Sequence, residues 1–100
     1  MGYYTKFELV TVTPSWEYDR VSNELFEGSS YLSDRKWYTF DKDFAAYSKS
    51  NPFLKIEVFG EGEEYPDIWT AYAFGGETAK VKAEITFKVP DFFQKPLDKA

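Results

Sequence analysis

The sequence predicts an α+β domain: an antiparallel sheet with two helices packed on one face, in the chain order β-α-β-α-β-β-β. Three observations carry that prediction. Residues 80–89, K-V-K-A-E-I-T-F-K-V, alternate apolar and polar at period two, the signature of a strand with one face on a core and one in water. Gly75-Gly76 separates this run from another strand-like run, a strong signal for a two-residue hairpin. Upstream, Tyr18, Val21 and Leu25 recur at helical spacing behind a Thr-Pro start.

The elements follow in order. Tyr3 to Val12 is rich in aromatic and β-branched residues, which suit a pleated, half-buried surface. Thr13 can cap a helix and Pro14 is tolerated at its first position, so a helix is expected from Pro14 to Glu27, stopped by Gly28. Glu27 to Arg35 reads as a loop by composition, and Lys36 to Phe40 as a short strand. Asp41 is placed to cap a second helix that ends at Asn51-Pro52, with Phe44 and Tyr47 as inward anchors. Leu54, Ile56 and Val58 share one face of the strand Phe53 to Phe59. The strand Ile68 to Phe74 carries large apolar groups on both faces, so it is either central or part of a contact surface. In the last strand, Val81, Ala83, Ile85, Phe87 and Val89 are expected on the core. Lys80, Lys82, Glu84, Thr86 and Lys88 are expected in water. One domain is expected over residues 1–89, with a loosely docked tail over 90–100.

Composition bounds function more firmly than it specifies it. One hundred residues suffice for one core, and an aromatic content of 21% argues against disorder. There is no cysteine and no histidine, which excludes disulfides, thiolate or imidazole zinc sites, Ser-His-Asp triads and imidazole acid–base catalysis. No nucleophile–base arrangement can be named among the remaining residue types, so a non-catalytic protein without cofactor or metal is expected. The net charge is −5, divided unevenly: through Glu77 the chain has 7 basic and 14 acidic residues, and from Thr78 onward 5 basic and 3 acidic. An acidic chain repels nucleic acid, so no direct nucleic-acid binding is expected. No apolar run has membrane-spanning length, M-G-Y-Y-T-K lacks a signal-peptide core, and Lys6 stands where a myristoylation motif has Ser or Thr. The expectation is a soluble cytoplasmic protein with no membrane partner.

The stretch F-G-E-G-E-E-Y-P-D-I-W, Phe59 to Trp69, concentrates the candidate chemistry. Gly60, Gly62 and Pro66 suit a turn between two apolar strands. Its carboxylates do not match the spacing of a calcium loop, and its glycines lack the third member of a dinucleotide fingerprint and the lysine of a phosphate loop. Glu61, Glu63, Glu64, Tyr65, Asp67 and Trp69 therefore form the first candidate site, an acidic and aromatic surface for a partner protein with a basic patch. The second candidate is a nucleotide-like ligand held by Lys80 and Lys82 with Trp37 and Tyr38 as stacking platforms, in an oligomer that sequesters the ligand. The third reading is a structural protein that assembles through an exposed sheet edge; self-association would also use the aromatic surplus.

Two segments carry a resemblance. K-W-Y-T-F-D-K-D-F (Lys36 to Phe44) and F-G-E-G-E-E-Y-P-D-I-W resemble segments of small proteins encoded by bacteriophages and prophages. Their pattern is a Trp-Tyr pair before an acidic helix start, then a Gly-Glu-Gly-Glu turn followed by Asp and Trp. The resemblance extends over Lys36 to Phe87 and the M-G-Y-Y-T start, and departs at Thr39 and Phe40, where the pattern has an acidic and a polar residue. It brings no established activity. What it implies is provenance, and with it a protein that acts on a host protein by binding and inhibition, a host defence protein among the candidates.

Overall fold

The computed structural model describes residues 3–84 and 88–94. Five strands form one antiparallel sheet in the order β2-β1-β3-β4-β5: β1 Thr5–Thr13, β2 Tyr31–Arg35, β3 Lys55–Gly62, β4 Ile68–Phe74 and β5 Glu77–Lys82. The helices are α1 Tyr18–Leu25, preceded by a 3-10 turn at Ser15–Glu17, α2 Phe40–Ser50, and a short α3 Asp91–Gln94. Val21 and Phe26 from α1 and its end, and Phe40 and Phe44 from α2, join one core cluster with Phe7, Leu9, Ile56, Val58 and Trp69. Both long helices thus cover the same face of the sheet, and among the described residues no helix covers the other, open face.

Local chemistry explains where most elements lie. Phe7 and Leu9 point inward, but a bulge after Leu9 shifts the pattern so that Val12, rather than Thr11, is the next buried residue of β1. Glu27 and Gly28 both take left-handed φ values, 56° and 81°, and the Gly28 N–H donates to Ser22 O at 2.9 Å, closing α1 where Gly28 predicts its end. Phe44 is buried and Tyr47 half-buried, as their spacing requires. The strand at Ile68–Phe74 and the Gly75-Gly76 turn stand where the sequence puts them, and both glycines have positive φ.

Five expectations need correction. Pro14 is in extended conformation (φ −71°, ψ 149°) ahead of the 3-10 turn, so the α-helix begins only at Tyr18. The second strand is Tyr31–Arg35, inside the stretch whose composition reads as loop. As an edge strand it buries only Leu32 and can be polar elsewhere. Lys36 to Thr39 is a turn, because Trp37 and Phe40 must both reach the core and stack at 4.9 Å edge to face. The helix cap is Thr39, and Asp41 is free to pair elsewhere.

The fifth correction concerns β5. The tight turn pairs Phe74 with Glu77, which sets Ala71 opposite Lys80, Thr70 opposite Val81 and Trp69 opposite Lys82. Paired residues share a face. Lys80 and Lys82 therefore lie on the helix side with Trp69 and Ala71, and Val81 lies on the open face, 57% exposed. The alternation is real and the assignment of faces is reversed. The expected continuation of this strand through Ile85 and Phe87 lies outside the described residues, as does the tail beyond Gln94.

Candidate functional site

The β3–β4 connection is held by bonds that no local sequence rule anticipates. Its hinge is internal: the Gly62 N–H donates to Asp67 O and the Asp67 N–H to Glu64 O, each at 2.7 Å. Its anchor comes from the opposite end of the chain. The Tyr3 hydroxyl donates to Asp67 Oδ2 at 2.6 Å and accepts from the Glu64 N–H at 3.1 Å. The Tyr4 N–H donates to Glu63 Oε1 at 2.6 Å, and the Glu63 N–H to Tyr4 O at 3.0 Å. Tyr38 adds a further brace, its hydroxyl accepting from the Tyr3 N–H at 2.8 Å. The Asp67 carboxylate raises the Tyr3 hydroxyl pKa above its ordinary value by accepting its proton in a hydrogen bond.

The two glycines of F-G-E-G are explained by close approach. A Cβ on Gly60 would overlap the indole ring of Trp69, which lies across β3 from the paired position on β4. A Cβ on Gly62 would overlap the Asp67 carboxylate and the Tyr3 hydroxyl. These glycines are seats for an aromatic ring and a hydrogen-bonded pair.

The sequence-derived candidates separate into an exposed set and a buried one. Glu61, Glu63 and Glu64 are exposed, Tyr65 is 74% exposed, and Asp67 is half-buried behind them. Trp69 is only 5% exposed and packs against Phe7 and Phe40, with ring centroids at 5.9 and 5.3 Å. It anchors the loop from beneath and offers a partner no surface. The sequence marks Tyr3 and Tyr4 only as the aromatic start of the first strand, and their place here comes from pairing across 64 and 59 residues of chain. With Tyr38 and Tyr65 they make a tyrosine-bearing rim around the carboxylates, and only long-range pairing brings them together.

The second candidate set also converges. Trp37, Tyr38, Lys80 and Lys82 line one cleft of about 180 Å³, together with Asp41 and Asp67. Each lysine has a carboxylate beside it: Lys80 Nζ lies 2.9 Å from Asp41 and Lys82 Nζ 3.9 Å from Asp67. Lys80 Nζ also sits 4.3 Å from the Trp69 ring centroid. Trp37 is committed to structure. Its indole N–H donates to Asp43 Oδ2 at 2.7 Å, and with the Thr39 hydroxyl it holds the Asp43 carboxyl below the usual carboxylate pKa. Small-molecule sites usually enclose about 300 Å³ or more, so this cleft suits an ion or a few waters better than a nucleotide.

Among the described residues no cluster of three or more carboxylates could hold a metal ion, and no helix is long and apolar enough to cross a membrane. Comparison with protein-family models, with curated proteins and with solved structures finds no match for the chain.

Proposed function

We propose that this is a non-catalytic binding protein of phage type. It engages and inhibits a host protein through the exposed carboxylates Glu61, Glu63 and Glu64 and the surrounding tyrosines. The observation that supports this reading is the bracing of the loop. Its carboxylates and Tyr65 project from a backbone already held by Tyr3 and Tyr4, so little ordering entropy remains to be lost on binding. Tyrosine brings large contact area at small entropic cost, and a cluster of carboxylates steers toward a basic patch.

The test is capture from host lysate with the wild-type chain, Glu61→Lys/Glu64→Lys and Tyr65→Ala. Glu63 is left intact because its carboxylate holds the Tyr4 amide. A partner retained at low salt by the wild type, released at high salt and lost from the charge-reversed variant is the expected result. A partner that binds all three chains equally refutes the site, provided the variants melt with the wild type.

A further inference from the structure

The open face of the sheet carries an apolar patch among polar residues such as Glu8, Glu57 and Glu77. Phe59 and Ile68 are half-buried there, while Tyr72, Phe74 and Val81 are exposed. Two shallow depressions, of about 550 and 230 Å³, run along it and meet at Tyr72. C-terminal to the sheet the chain carries a second exposed apolar surface. Phe92 is 75% and Phe93 74% exposed on α3, and Val89 beside them is also exposed. These rings do not rest on their own sheet. The radius of gyration is 18.7 Å and the longest axis 69 Å, against about 13 Å for the radius of a compact chain of this length.

We infer that the open sheet face of one copy receives the Phe92–Phe93 segment of a second copy, reciprocally, in a two-fold dimer. A two-fold operator uses both surfaces twice and leaves neither exposed. The areas are sufficient. Four largely exposed phenylalanines bring about 600 Å². The receiving faces lose a similar area, so the total reaches about 1,200 Å², the lower end of specific interfaces. This interface is on the sheet face opposite the helices; of the residues named for the host partner, Glu61, paired with Ile68, borders it, while Glu64 and Tyr65 lie in the turn beyond β3.

Light scattering during size-exclusion chromatography of the full chain tests the inference. The wild type is expected at twice the 11.7 kDa chain mass. Phe92→Ser/Phe93→Ser and Tyr72→Ser/Phe74→Ser are each expected at the monomer mass with unchanged far-ultraviolet circular dichroism. Where the second variant melts early, Phe74→Lys alone reads the same face from its exposed rim. A monomeric wild type overturns the inference, whether the segment folds onto its own sheet or onto nothing. A dimer that survives either set of substitutions overturns it too.

Discussion

Replacing Gly60 by alanine sets two effects of opposite sign against each other. Gly60 has no left-handed backbone angle, so an added methyl would ordinarily stabilise the fold by about 0.4–1 kcal/mol by restricting the unfolded chain. Here the methyl would land inside the Trp69 indole. The strand cannot retreat, because β3 is paired to β1 on one side and β4 on the other. The indole cannot retreat inward either, since Phe7 and Phe40 lie against it. Overpacking of a filled core costs about 1–3 kcal/mol, and losing the seat of a buried tryptophan approaches the about 3–5 kcal/mol of its truncation. The clash wins, and Gly60→Ala should destabilise by about 3 kcal/mol, lowering Tm by about 12–24 °C for a domain of this size. Thermal and urea unfolding followed by tryptophan fluorescence measure it. Repeating the substitution in a Trp69→Leu background should reduce its cost below about 1 kcal/mol, since the two positions are coupled. A Gly60→Ala chain as stable as the wild type would refute the seat.

The remaining expectations test the loop, the helix start and the strand faces. Tyr3→Phe removes the donor to Asp67 and the acceptor for the Glu64 amide; a loss of about 1 kcal/mol and faster hydrogen exchange at Glu64 are expected, and unchanged exchange would show that the loop does not need this brace. Because the folded Asp43 carboxyl is held below its ordinary pKa, its contribution is complete above the unfolded value and is lost as pH falls through the lower folded value. Stability measured from neutral pH down into the acid range should therefore fall less steeply in Asp43→Asn than in the wild type; parallel curves would contradict this. Val81→Lys, on the open face, should change the stability of the monomer, measured at a concentration too low for dimer, by no more than about 0.5 kcal/mol. Lys80→Glu would place a carboxylate beside Asp41 and over the Trp69 ring, and should cost about 1 kcal/mol or more; the reverse order of the two effects would restore the opposite assignment of faces.

The candidate site was legible in its exposed half. Glycine, proline and clustered carboxylates mark a solvated turn wherever they occur, and Glu61, Glu63, Glu64 and Tyr65 are exposed because nothing apolar draws them inward. The buried half was not legible. Trp69 looks like a contact residue until Gly60 is seen beneath it, and the Tyr3–Asp67 bond spans 64 residues of chain. The aromatic run around Trp37 looked like a strand because period two and a tight turn both bring alternate large residues into view over so short a stretch.

Local sequence was enough for the α+β class, the helix anchor Phe44, the strand Ile68–Phe74 and the hairpin at Gly75-Gly76. Each of these follows from periodicity or turn chemistry within a dozen residues. Tertiary structure alone decided the edge strand Tyr31–Arg35, the bulge after Leu9 and the side of the sheet on which Lys80 and Lys82 lie. The physical reason is the pleat: alternation along one strand shows that its two faces differ, but which face meets the core is set by the register with its neighbour, and a shift of one residue exchanges them.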